Sequence, residues 1–288
     1  MKIETIGIIG QGFVGTAIKE GMSKHYNVFT YDKFLKEKSN VVNIKELASR
    51  CPIIFVCVPT PMFATGECDT STVEEIIKEI DSVGRNHIVV LKSTVPPGTT
   101  ERLDKKSRNI NIVFNPEFLT EANFIEDFKN QQRIIIGGER PASTVVKNVF
   151  RRVFNSATIV KTSSTVAEFV KYFTNTFLAT KVSFANEFKQ VCNKMNVDYD
   201  KVLEYALYDD RIGKTHLSAP GPDGKMGFGG SCFPKDVNAL IYFSKNLDLN
   251  PLVLESIWNK NLEVRPEKDW EDLKGRAVSE KRSNNEII

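Results

Sequence analysis

The side chain best suited to covalent chemistry is Cys232, in the run Gly227-Phe228-Gly229-Gly230-Ser231-Cys232-Phe233-Pro234-Lys235-Asp236. Three glycines let the backbone there lie against a ligand. An apolar helical segment, 237–243, follows at once. A thiol close to a helix N-terminus, with a lysine beside it, ionises more readily and is the better nucleophile. The other cysteines have blander settings. Cys51 and Cys57 suit buried positions, Cys57 within an expected strand. Cys192 falls within an expected helix, and Cys68 falls in a loop where exposure is expected. Lys171 and Asn175 stand four residues apart, so on a helix they share a face and can together polarise an oxygen and stabilise an alkoxide.

A second chemistry-bearing segment is Gly10-Gln11-Gly12-Phe13-Val14-Gly15. It follows an apolar run and opens an amphipathic one, as a dinucleotide loop requires. Gly10 permits the tight turn, Gly12 lets the backbone approach a pyrophosphate, and Gly15 lets helix and strand pack closely. The helix start offers free N–H groups and a positive dipole end to the phosphates. Asp32 ends the next apolar run, placed to bind a ribose diol and to repel a 2′-phosphate. The expected cofactor is therefore NAD, not NADP.

These residues need a scaffold. β-branched runs at 5–9, 28–31, 53–58, 88–91, 110–114, 134–136 and 158–160 read as strands, with helices such as 14–25 and 72–83 between them. Apolar runs without alternation suit a parallel sheet covered on both faces. The alternation predicts an α/β fold, a Rossmann-like doubly wound parallel sheet. The pattern changes near Thr162. Thr165 and Glu168 fit a capping box. From Val166 to about Met195 there is neither Gly nor Pro, and apolar residues recur at helical spacing. This predicts one long helix followed by a mostly helical central domain, with shorter helices at 199–206, 235–245 and 251–264. The expected division is 1–162, an NAD-binding domain; 163–266, a helical central and dimerisation domain that carries the thiol; and 267–288, a charged, disordered tail.

Composition narrows the function classes. The chain has 288 residues, with 39 Lys plus Arg against 36 Asp plus Glu, which argues against a nucleic-acid protein. Five cysteines without a CxxC pair argue against a disulfide framework or a zinc site, so no metal is expected. The N-terminus lacks a long apolar run, and no stretch approaches the ~20 apolar residues of a membrane span. A cytoplasmic protein without a membrane partner is expected.

Together these segments resemble the UDP-glucose/GDP-mannose dehydrogenase family. The resemblance covers residue 7 to about 265. Besides the two glycine motifs it rests on Val58-Pro59-Thr60-Pro61 followed by Asp69, on Lys92-Ser93-Thr94-Val95-Pro96-Pro97-Gly98, on Asn115-Pro116-Glu117-Phe118-Leu119, on the stretch 170–187, and on Arg211-Ile212-Gly213. It implies a four-electron oxidation of the C6 alcohol of a nucleotide sugar, UDP-glucose foremost, in polysaccharide biosynthesis. It makes Cys232 the nucleophile, with Lys171 and Asp236 holding the water or base that takes the hydroxyl proton and Asn175 steadying the oxyanion. Glu117 would assist thioester hydrolysis on a water ordered by Thr94. NAD contacts would come from Gly10, Gly12, Phe13, Val14, Gly15, Asp32, Lys33, Val58, Pro59, Thr60, Ser93, Thr94, Glu121 and Lys235. The sugar nucleotide would be bound by Glu117, Phe118, Leu119, Lys171, Asn175, Phe228, Gly229 and Cys232. Arg211 would reach the substrate site of a partner subunit, which implies a homodimer built on the long helix. Family members continue into a further nucleotide-binding domain, whereas this sequence stops at Ile288. The nucleotide is accordingly expected to be gripped through its phosphates, with Arg211, Lys214, His216 and Lys225 as candidates. Two other readings stay open: an NAD-binding relative of reduced activity, and a two-electron hydroxyacid dehydrogenase of the 6-phosphogluconate type.

Overall fold

Seven short runs rich in Ile, Val and Phe form the strands of the computed structural model, which describes residues 3–281. They are β1 (Thr5–Ile9), β2 (Asn27–Tyr31), β3 (Ile53–Val56), β4 (His87–Leu91), β5 (Ile110–Phe114), β6 (Arg133–Gly137) and β7 (Thr158–Thr162). Each lies within two residues of its expected position. They pair in the order β2-β1-β3-β4-β5-β6-β7. Helices α1 (Phe13–Met22), α5 (Phe124–Lys129) and α6 (Ala142–Val153) cover one face, with Ile18, Phe128 and Phe150 in its core. Helices α2 (Ile44–Arg50), α3 (Ser71–Asp81) and α4 (Thr99–Lys106) cover the other through Leu47, Ile77 and Leu103. With both faces covered, β3 can be buried at every residue, which explains its unbroken apolar run.

The sheet departs from a wholly parallel one at a single pairing, so that β6 and β7 both run opposite to β1–β5. β6 runs antiparallel to β5, paired only at Phe114 and Gly137, and parallel to β7. The segment between β5 and β6 carries only the six-residue α5, and an antiparallel strand needs no crossover to the other end of the sheet.

Contacts divide the chain into a first unit, Met1–Thr60 with Thr70–Lys171, and a second, Pro61–Asp69 with Tyr172–Ile288. This differs from a boundary at 162/163. The long helix α7 (Ser164–Lys194) has 31 residues, and its first two turns pack with the sheet, where Ala167 joins the core. The expected capping box does not form. Ser163 Oγ accepts from Val166 N, at 3.3 Å. The fully buried Glu168 instead accepts from Gly98 N at 2.6 Å and Thr100 N at 2.8 Å, capping α4. Burial raises the pKa of this carboxyl despite those bonds.

The second unit contains the rest of α7 with α8 (Tyr199–Ala206), α9 (Phe233–Lys245) and α10 (Leu252–Val264), around Ala179, Phe228, Val237 and Ile257. Its loop 61–69 pairs with the chain near 277: Met62 N donates to Ala277 O at 2.8 Å, and Ser279 N donates to Met62 O at 2.7 Å. Cys68, expected to be exposed, is buried there against Tyr172 and Ala239. The expected tail also differs in its described part. Residues Asp269–Asp272 form a 3-10 turn, and Trp270 is buried with Met62 and Ala277. Residues 282–288 of that tail lie outside the described residues. No helix among the described residues is long and apolar enough to cross a membrane.

Candidate active site

In the first unit, candidate residues gather at the carboxyl ends of β1 to β5, where open α/β sheets bind ligands. The strand order reverses beside β1, and the glycine loop sits at that reversal. Gly10 has φ +91°, and a Cβ there would overlap the Cys57 carbonyl. Gly15 packs against Gly10 O so closely that no side chain fits. Above Gly12 is open space, and α1 begins there without a side-chain cap or an acidic residue in its first turn. Phe13 and Val14 follow, half-buried. An uncapped helix start under an open glycine fits a pyrophosphate. Asp32 Oδ2 accepts from Gln11 N at 2.6 Å, and its Oδ1 accepts from Phe34 N and Leu35 N at 2.8 Å. Those bonds fix a negative charge beside the loop, with Lys33 exposed next to it. NAD is therefore expected to bind at least about tenfold more tightly than NADP, because each 1.4 kcal/mol of charge repulsion is a factor of ten. Titration of both cofactors against intrinsic fluorescence measures this, and equal or tighter NADP binding contradicts it.

Side-chain hydrogen bonds tie the loops after β3 and β4 together. Thr60 Oγ1 donates to Thr94 O at 2.6 Å, and Ser93 Oγ donates to Val58 O at 2.7 Å. Thr60, Ser93 and Thr94 are buried, Val58 is half-buried and Pro59 is exposed. After β5, Glu117 is buried and ion-paired to Lys171, Nζ to Oε1 2.7 Å, while the same Nζ donates to Glu117 O at 2.8 Å. Burial would raise the Glu117 pKa, but Lys171 beside it, with the Leu119 N–H and Lys92, holds it below the usual carboxylate value. Lys171 Nζ also lies 5.7 Å from the Phe118 ring centre. Glu121 is exposed.

Lys92 was not singled out in advance. Its buried Nζ donates to Asn115 Oδ1 at 2.8 Å and to Pro116 O at 3.3 Å, which fixes the loop that carries Glu117. Burial pulls its pKa down to about 8. The signal available was a lysine placed directly at the end of an all-apolar strand.

In the second unit, Cys232 occupies the N-cap position of α9, with a proline in the helix's first turn. Its Sγ lies 3.9 Å from Ser231 Oγ. Asp236, one turn into α9 and 1% exposed, gathers two neighbours. Asn175 Nδ2 donates to its Oδ2 at 2.5 Å, and Lys235 Nζ pairs with its Oδ1 at 2.5 Å. Burial would lower the Lys235 pKa, but Asp236, Cys232 and Cys68 push it up, so the ammonium stays charged beside the thiol. Thiol, carboxylate and ammonium thus share the start of α9, and the Asn175 amide reaches the carboxylate from α7. Phe228 is buried and Gly229 half-buried in the loop before it.

Three other candidates stand at the surface. Arg211 is exposed and held by Asp209, Nε to Oδ1 2.8 Å. Lys214 is exposed, and Lys225 pairs with Glu267 at 3.4 Å. His216, by contrast, is half-buried with its ring centre 5.7 Å from that of Phe233, next to Cys232, and burial lowers its pKa.

Comparison with known proteins points one way. Residues 30–158 match the NAD binding domain of the UDP-glucose/GDP-mannose dehydrogenase family, and residues 165–263 match its central domain. The UDP-glucose 6-dehydrogenase of Rickettsia bellii is 38% identical over 244 residues, 78% of this chain and 54% of that protein. The chain spans about half the length of the curated relatives it matches. The structure of a UDP-glucose dehydrogenase from Pyrobaculum islandicum superposes with a TM-score of 0.82 at 30% identity, over 94% of this chain and 71% of that one. The 3-hydroxyisobutyrate dehydrogenase of Mycobacterium tuberculosis shares the fold alone, at 13% identity and a TM-score of 0.74 over 93% of this chain and 95% of that one.

Proposed function

Because the chain belongs to the UDP-glucose/GDP-mannose dehydrogenase family, we propose that it oxidises the C6 alcohol of a nucleotide sugar to the carboxylate in two NAD-dependent steps, with Cys232 as covalent nucleophile. The observation that carries this reading is Cys232 at the start of α9, beside the chain Asn175–Asp236–Lys235. Bound NAD supplies the chemistry of accepting one hydride in each oxidation. Lys171 and Asp236 hold the water or base that takes the hydroxyl proton. The Cys232 thiolate adds to the aldehyde and gives a thiohemiacetal, whose oxyanion Asn175 steadies. Loss of the second hydride leaves a thioester on Cys232. Glu117, held ionised by Lys171, and Thr94 order the water that releases the acid. UDP-glucose is the foremost substrate, since relatives of that name match most of the chain. NADH absorbance measured with UDP-glucose, GDP-mannose and UDP-N-acetyl sugars tests the reading, and no reduction with any of them contradicts it.

The reading includes a homodimer through α7. Phe173, Phe177, Phe184 and Phe188 stand exposed along one face of that helix, at 71, 55, 62 and 41%, and Met195 just past its end is 70% exposed. So many exposed aromatics on one stripe mark an interaction surface. Arg211 would then serve the partner's substrate. Light scattering is expected to give twice the 32.5 kDa chain mass, and a monomer at micromolar concentration contradicts the dimer.

A further inference from the structure

We propose that Asn261 and Arg265, on and just after α10, are positioning residues for the nucleophile: they fix the backbone of the glycine loop that delivers Cys232. The proposal rests on the reading of Cys232 as the reactive thiol.

A loop with glycines at 227, 229 and 230 loses much conformational freedom when it orders, so it needs partners to hold one shape. Its buried backbone groups also require hydrogen bonds. Asn261, fully buried, supplies two. Its Oδ1 accepts from Phe228 N at 2.7 Å, and its Nδ2 donates to Phe228 O at 2.9 Å, as a neighbouring strand would. Asn186, buried on α7, accepts from Gly227 N at 3.0 Å. Arg265 is 2% exposed. It donates to Met226 O at 3.3 Å, to Asp223 at 2.7 Å and, through Nε, to Asp269 at 2.7 Å. Asp269 in turn accepts from Gly230 N at 3.4 Å. A Cβ at Gly229 would overlap both the Arg265 guanidinium and the Asp269 carboxylate, so the loop lies directly on this pair.

The clamp reaches across the thiol. Phe228, gripped by Asn261, packs edge-on against Phe233, the first residue of α9, with ring centres 6.0 Å apart. Cys232 lies between them in sequence. Two buried polar side chains and one aromatic contact therefore bind the loop before the thiol to the helix that begins after it. The planar guanidinium meets two carboxylates and a carbonyl at once, which a lysine ammonium on a flexible stem does not reproduce.

The test uses the full chain and measures iodoacetamide labelling of Cys232 near neutral pH by peptide mass spectrometry, with NAD affinity and kcat measured in parallel. In Asn261→Asp, which loses the donor to Phe228 O, and in Arg265→Lys, labelling is expected to slow about tenfold, because the thiol is no longer held at the helix start. kcat should fall with it, while NAD affinity stays within about twofold. Unchanged labelling and kcat in folded variants, with only a lower melting temperature, overturns the proposal. Should Asn261→Asp fail to fold, Arg265→Lys and Asn261→Ser decide it by the same labelling rate. Full turnover by Cys232→Ser would instead sink the nucleophile reading. The labelling rate of Cys232 in otherwise unaltered protein against the clamp variants still reports on positioning in that case.

Discussion

Cys232→Ser is expected to lower carboxylate formation on the order of a thousandfold or more, while NAD binding and the fold stay intact. The hydroxyl keeps the size of the thiol but ionises far less readily and forms a poor acyl carrier. Cys232 is half-buried at the N-cap position of α9 and makes no part of a hydrophobic core cluster, so serine fits the same place. Most residues proposed to hold the cofactor lie in the other unit, with Lys235 the exception. Loss should fall on the second oxidation, with aldehyde-level product trapped by a carbonyl reagent. Near-normal acid formation by this variant would make Cys232 structural.

The second large effect is on stability. Lys171→Met is expected to destabilise the chain by about 3 kcal/mol at neutral pH, because it leaves the Glu117 carboxylate buried without its cation. The pH dependence follows from the sign of the shift. With Lys171 in place, the folded pKa of Glu117 lies below 4.5, so the pair contributes stability above that pH and loses it as pH falls through the folded value. Without Lys171, burial dominates and the folded pKa rises above 4.5. The carboxylate then carries a penalty at neutral pH that fades as it protonates. The deficit against the unaltered protein should therefore shrink toward pH ~4.5. Lys171→Met combined with Glu117→Gln should recover part of the loss, since neither charge is then stranded. Urea unfolding midpoints across pH measure all three proteins, and a deficit that is flat with pH contradicts the account.

Much of this architecture was legible because local chemistry and global fold agree. β3 needs four consecutive apolar residues only because helices cover both faces. The glycines at 10 and 15 mark close backbone contacts that a side chain would block. Partners distant in sequence were the part that stayed hidden. Thr165 and Glu168 have capping-box spacing, yet Glu168 caps α4, whose N–H groups lie 68 and 70 positions away. Nothing local reports that β6 enters the sheet against β5. Cys68 reads as a loop residue until 61–69 is seen to pair with 277–279. Lys92, Asn261 and Arg265 were missed for the same reason: each is an ordinary polar residue whose importance comes from a loop 23 to 42 positions away.

In the proposed reaction one thiol takes a sugar alcohol through two oxidations. The most direct test is the amount of NADH formed per sugar nucleotide consumed, counted together with the oxidation level of the product. Two NADH for each carboxylate released is the predicted result. One NADH per substrate, with a carbonyl product and no acid, would contradict it and make the chain a two-electron dehydrogenase.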